Sequence, residues 1–383
     1  MSRASIAGLG LTEVGKVYDR SATDLAAQAV RLAAADAGLD LTALDGLLVT
    51  AGTRGAPKLS LQKVLGLRDL RLLAEIGALG ASPGVMIAYA AYAVRTGAAS
   101  AVACVFADTP LRPKGSGRDA FGATGSAGFA GYLAGSGAVS PNLFYALAAR
   151  RHFETYGTSS EQLGAIAVAQ RQWASMNPVA QFRTPISLAE HQESPLIADP
   201  LHLLDCCLVS NGAAAVIVTT AERARDLAQP PVDILGWSQA HPGRVMHRDS
   251  QFGLRTGAAD AGPAALRMAG VTIDDVDLLQ LYDCYTYTVM VTLEDYGFCP
   301  KGQGGAFAAE GHLAPGGRLP CNTGGGQLSG FYLTGFTPVV EAVIQGRGQA
   351  GERQVDRREI IMVSGNGGIL EHHATLVLNG AGR

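Results

Sequence analysis

The sequence predicts an α/β protein of two similar halves enclosing one site. Strand candidates rich in valine and isoleucine at 46–50, 101–106, 213–220, 359–363 and 374–378 alternate with helical stretches, a pattern of stacked layers rather than of a bundle. An internal repeat divides the chain. Two glycine-rich turns, one in each half, lead into apolar helices.

The repeat aligns residues 37–49 (AGLDLTALDGLLV) without gaps on 269–281 (AGVTIDDVDLLQL), matching Leu39 with Val271, Leu41 with Ile273, Leu44 with Val276 and Leu47 with Leu279. Each copy ends an alanine-rich helix at a glycine (Gly38, Gly270), passes an acidic turn and enters a strand. A helix over 85–97 precedes the strand at 101–106, and one over 338–346 precedes the strand at 359–363. The first follows GALGASPG and the second NTGGGQLSG, so the two turns should face each other across a pseudo-twofold axis, with the site between them.

Between 110 and 200 the pattern loosens. Glycine and serine dominate 115–137, and helices follow at 145–156 and about 161–174, the latter with Ser159 and Gln162 spaced as a capping box. This stretch reads as an insertion forming a lid. Its basic residues Arg112, Lys114 and Arg118 are a thin basis for anchoring a phosphate.

With 383 residues, 48% hydrophobic and 16% charged, and a net charge of −3, the chain can bury a large core and has no electrostatic reason to bind nucleic acid or an anionic membrane. Residues 76–94 are uncharged but interrupted by glycines and Pro83, which suits a core helix, not a membrane span. No export signal is evident before Glu13 and Lys16, so a cytoplasmic location is expected. The six cysteines lack CxxC spacing and read as reduced, mostly structural thiols. His372 and His373 are not spaced as metal ligands, and Gly8, Gly10 and Gly15 do not form a dinucleotide fingerprint.

The richest segment is 322–335, NTGGGQLSGFYLTG, a glycine-dense turn with Tyr332 expected near a helix start, where a positive helix end would favour its phenolate. Tyr285 and Tyr287 read as packing residues and Asp283 as a structural acceptor able to tune Tyr282. Cys284, two residues after Tyr282, would share its strand face if the segment were extended. Cys206 and Cys207 read as core residues beside Asp205.

Four segments together resemble the thiolase superfamily over essentially the whole chain: residues 200–218 (PLHLLDCCLVSNGAAAVIV), 281–289 (LYDCYTYTV), 322–330 (NTGGGQLSG) and 364–368 (SGNGG). The likeness is closest to the sterol-carrier-protein-type thiolases and thiolase-like lipid-transfer proteins of steroid degradation. It implies a five-layered αβαβα fold of two halves (1–225 and 226–383), a loop domain inserted at about 110–200, a homodimer, and a coenzyme A thioester as substrate with no tightly bound cofactor.

The resemblance also shows what has changed. The position of the thiolase nucleophilic cysteine holds Ala81, with Ser82 beside it, and alanine cannot form an acyl-enzyme. The Asn or His of the NEAF- or HDCF-like motif is Tyr282, the His of the Gly-His-Pro motif is Tyr332, and the second cysteine is Gly365. This pattern resembles the aldolases that shorten steroid side chains with a small OB-fold partner, of a kind that can bear a zinc ribbon, in a heterotetramer. It implies retro-aldol cleavage of a 3-hydroxyacyl-CoA, with Tyr332 as base and Tyr282 as donor or relay. The backbone at Ala81, Gly365 and Gly367 is the expected oxyanion hole, and Asp283 and Asn322 are expected in support. An acyltransferase using Ser82 or Cys284, and a non-catalytic acyl-CoA or lipid binder, are the alternatives.

Overall fold

Strand pairing makes the two halves visible. The computed structural model describes residues 3–50, 52, 55, 57–115, 131, 135, 137, 140–243 and 250–380. Its strands are β1 (Ala4–Leu11), β2 (Gly46–Thr50), β3 (Leu72–Ile76), β4 (Ala101–Asp108), β5 (Leu196–Ala198), β6 (Leu201–His202), β7 (Gly212–Thr220), β8 (Val232–Ala240), β9 (Leu278–Gln280), β10 (Ile360–Gly367) and β11 (His372–Asn379). The longer helices are α1 (Ala22–Ala37), α2 (Ser82–Arg95), α3 (Pro141–Tyr156), α4 (Ser160–Ser175), α5 (Ala258–Ala269), α6 (Thr286–Tyr296) and α7 (Phe336–Gly346).

One nine-stranded sheet runs β3-β2-β4-β7-β1-β8-β11-β10-β9, and β5 pairs with β6 apart from it. In the first half β2 is parallel to β4, which is antiparallel to β7, which is antiparallel to β1. The second half repeats this with β9, β10, β11 and β8. The halves join where Ala4–Ile6 of β1 pair antiparallel with Val232–Ile234 of β8.

Helix burial folds this sheet into layers. α1 packs outside β1, β7 and β4, and α5 outside β8 and β11, while α2 and α7 lie between the halves. The inner core joins Met86 and Ile87 of α2, Val339 and Val340 of α7, and Val216 and Leu376 of the strands. Val339, Val340 and Val343 of α7 are buried almost completely, roughly 1.5–3 kcal/mol of stabilisation each. Such a helix, buried nearly all round, is stable only when the rest of the fold covers every face.

The repeat reappears in the backbone. α1 ends at Gly38 (φ 69°) and α5 at Gly270 (φ 73°), both left-handed caps, and each leads through a 3₁₀ turn into β2 or β9. The capping box of Ser159 and Gln162 opens α4. α3, expected from residue 145, begins earlier, with Ser140 as its N-cap and Pro141 in its first turn. No described helix is long and apolar enough to cross a membrane.

Candidate active site

Two turns meet at the pseudo-twofold axis. Leu79 and Thr334 both adopt the left-handed conformation (φ 50° and 49°), a strain worth roughly 1–3 kcal/mol each that the surrounding packing must hold. Ser82 Oγ accepts the Ala78 N–H at 2.7 Å, and Thr337 Oγ1 accepts the Leu333 N–H at 2.9 Å. LGASP of the first turn therefore corresponds to TGFTP of the second. A Cβ on Gly335 would lie 2.3 Å from the Gly80 carbonyl, so the turns touch.

This corrects the expected helix start. α7 begins at Phe336, after LTG, and residues 326–330 form a separate π-helical turn. Tyr332 lies in the extended link between them, ahead of α7, and the Leu333 amide is engaged by Thr337. Ser82 is likewise tied up, as the cap of its own turn. Ser82→Ala is expected to lower stability by about 1 kcal/mol, measured by thermal melting, and to leave turnover near wild type.

Tyr332 is buried, at 9% exposure, with its backbone N–H donating to Ser210 Oγ at 3.0 Å. Burial pushes its hydroxyl above the ordinary tyrosine range, opposite to the expected lowering, and the Tyr282 hydroxyl within hydrogen-bonding reach offsets this in part. Tyr282 is 5% exposed and follows the end of β9 at Gln280. Asn322 Oδ1 accepts the Leu281 N–H at 2.6 Å, Ser364 Oγ accepts the Tyr282 N–H at 2.9 Å, and Thr288 Oγ1 donates to the Tyr282 carbonyl at 3.1 Å. The Tyr282 ring lies against Gly80, where a Cβ would stand 2.5 Å from Cζ.

Cys284 does not share a strand face with Tyr282, because the strand has ended and α6 begins at Thr286. Its carbonyl accepts the Cys207 N–H at 3.0 Å. Burial pushes the Cys284 thiol up to about 12, which keeps it protonated and unsuited to nucleophilic attack. The hydroxyls of Tyr285 and Tyr287 are engaged, by Asn142 Oδ1 at 2.5 Å and the Gly253 carbonyl at 2.7 Å. Tyr145, on α3, was not singled out by the sequence: its ring lies on Tyr285, centroids 4.6 Å apart, and nothing local marks it.

The backbone expected to form the oxyanion hole packs closely together. The Ala81 N–H donates to the Ala78 carbonyl at 3.0 Å, and Cβ atoms on Gly365 and Gly367 would lie 2.8 Å from the Gly80 carbonyl and 2.3 Å from the Ala78 carbonyl. These glycines let β10 press against the first turn. Asp283 is fully buried and accepts the Gln327 N–H at 2.8 Å and 3.0 Å and the Leu328 N–H at 3.3 Å, so it pins the π-helical turn ahead of Tyr332. Asn322, held at φ 52°, ties the same turn to β9. Behind them Thr323 donates to Glu341, which also receives both arms of Arg353.

Burial pushes the Asp283 carboxyl up to about 7 despite these donors. The folded state then holds a proton that the unfolded chain has released above about pH 4, so stability falls as pH rises through that window. Relative to Asp283→Asn, the wild type is expected to lose on the order of 3 kcal/mol between about pH 4 and about pH 7, read by denaturant unfolding.

Arg112 and Lys114 are exposed, and Arg118 lies outside the described residues. His373 Nε2 meets the Tyr296 hydroxyl at 2.9 Å while His372 Nδ1 meets His241 at 3.1 Å. Among the described residues no three His, Cys, Asp or Glu side chains converge as a metal site.

Comparison with known proteins decides the family. The profile described as thiolase C-terminal domain-like matches residues 238–380. A steroid side-chain-cleaving aldolase of Thermomonospora curvata is 37% identical over 95% of this chain and 95% of its own. A 17-hydroxy-3-oxo-4-pregnene-20-carboxyl-CoA lyase of Mycobacterium tuberculosis is 35% identical over 95% of this chain and 97% of its own. The chain belongs to the thiolase superfamily. The solved structure of an Ltp2-ChsH2(DUF35) aldolase superposes with a TM-score of 0.89 at 34% identity, covering 100% of this chain and 99% of that one. Human mitochondrial 3-ketoacyl-CoA thiolase, at 14% identity and a TM-score of 0.71, covers 100% of this chain and 99% of its own and shares the fold. At the centre of the fold Ala81 belongs to the closed first turn, and the Tyr282 ring packs against Gly80 beside it.

Proposed function

We propose that this chain cleaves the Cα–Cβ bond of a 3-hydroxyacyl-CoA with a branched, steroid-like acyl group, releasing a ketone or aldehyde and a shorter acyl-CoA. The observation that carries this is the contact of the Tyr282 and Tyr332 hydroxyls in a buried pocket whose nucleophile position is alanine. A thioester lyase needs a base for the β-hydroxyl and a donor for the enolate, and it needs no acyl-enzyme.

Tyr332, as phenolate, takes the β-hydroxyl proton; the O–H electron pair becomes the C=O bond, and the Cα–Cβ pair moves into the thioester as an enolate. Tyr282 donates first a hydrogen bond to the enolate oxygen and then a proton to Cα. The proton gained by Tyr332 returns to Tyr282 through their shared hydrogen bond. A base whose pKa is raised is strong but scarcely ionised at neutral pH, so turnover should climb with pH.

The substrate class follows the two relatives, one a steroid side-chain-cleaving aldolase and the other a pregnene-carboxyl-CoA lyase. The DUF35 component of the structural neighbour supports a partner of that kind, completing a heterotetramer. A homodimer is supported by the sheet edge β3 with exposed Leu73, and by the exposed Tyr89 and Tyr92 of α2. The test is product analysis on paired 3-hydroxyacyl-CoA and 3-ketoacyl-CoA thioesters, with the DUF35-type partner present. Ketone and shorter acyl-CoA from the hydroxy compound alone support the proposal; cleavage of the keto compound by free CoA sinks it.

A further inference from the structure

The lid helix α3 reaches into the tyrosine pocket with two residues of one face, Asn142 and Tyr145. Asn142 Oδ1 receives the Tyr285 hydroxyl. Tyr145, 5% exposed, stacks at a tilt on Tyr285 with ring centroids 4.6 Å apart, and its hydroxyl is within hydrogen-bonding reach of the Cys284 thiol. From there a chain of contacts leads inward. The Cys284 sulfur lies 4.0 Å from Thr288 Oγ1, and Thr288 donates to the Tyr285 carbonyl at 2.6 Å and the Tyr282 carbonyl at 3.1 Å. Tyr145 is also an electrostatic neighbour of both Tyr282 and Tyr332. Three tyrosine hydroxyls, from segments far apart in the chain, thus share one buried space.

A third phenol placed there by packing alone would have no need of its hydroxyl. Its O–H instead lies within reach of the Cys284 sulfur, beside the Tyr282 and Tyr285 carbonyls that Thr288 holds. We infer that Tyr145 is a positioning residue of the active site, through which the lid helix sets the geometry and proton affinity of the Tyr282 and Tyr332 pair. The inference rests on the retro-aldol reading of that pair. It makes the reactive state of the site depend on α3 being docked.

The test compares Tyr145→Phe, which keeps the ring on Tyr285 and removes only the hydroxyl, with wild type and Tyr332→Phe, each assayed with the DUF35-type partner across pH. The expected result is a fall of about tenfold in kcat and a displacement of the rising limb of the pH profile to higher pH by about half a unit, with the melting temperature near wild type. An ultraviolet difference titration of tyrosinate should show the same displacement in the absence of substrate. A pH profile and titration superimposable on wild type, while wild type cleaves and Tyr332→Phe does not, overturns this inference and leaves the proposed function standing. Failure of wild type itself to cleave a hydroxyacyl-CoA overturns both.

Discussion

Tyr332→Phe is expected to lower turnover of a 3-hydroxyacyl-CoA by about 10³-fold while the melting temperature changes little. The substitution removes one oxygen and leaves the ring, and the ring holds the packing. The backbone at this position is secured independently, by Ser210 on the Tyr332 N–H and Thr337 on the next amide, so the link has no reason to move. The lost oxygen takes away the base, and Tyr282 loses the partner that returns its proton. Steady-state kinetics with thermal melting on the same preparation separates loss of chemistry from loss of fold. Equal falls in both would mean that the hydroxyl serves structure.

Gly80→Ala is expected to damage both. The added Cβ would lie 2.0 Å from the Asn366 carbonyl and 2.5 Å from Cζ of Tyr282. The first neighbour is backbone in β10 and the second is a buried ring on a backbone held by Ser364 and Thr288, so neither yields easily. Overpacking of this kind costs about 1–3 kcal/mol, and a ring displaced by about an ångström costs on the order of 10² in rate. Melting temperature and turnover should fall together, the opposite of the Tyr332→Phe pattern.

The halves were legible in the sequence because they rest on local rules. The glycine caps at Gly38 and Gly270, the acidic turns after them and the matched apolar positions are all set within a few residues. What stayed hidden depends on folding at long range. The π-helical turn at 326–330 exists because Asp283, distant in sequence, collects its amides, and no propensity rule predicts it. The capping of α2 and α7 by Ser82 and Thr337 was present in sequence as LGASP and TGFTP, but the glycine density of NTGGGQLSG is the stronger local signal and masks that match. Tyr145 was not singled out because it is ordinary in its own segment, and only the tertiary fold brings its ring onto Tyr285. The expected lowering of Tyr332 failed because burial raises the hydroxyl that a positive helix end would have lowered.

The central claim is carbon–carbon cleavage without a covalent intermediate, and intact-protein mass spectrometry during turnover tests it most directly. Rapidly quenched mixtures of the chain, its DUF35-type partner and a 3-hydroxyacyl-CoA should contain ketone and shorter acyl-CoA in equal amounts beside a chain of unchanged mass. A chain heavier by one acyl group, with free CoA released, would contradict the account and place a nucleophile in the pocket that Ala81 does not provide.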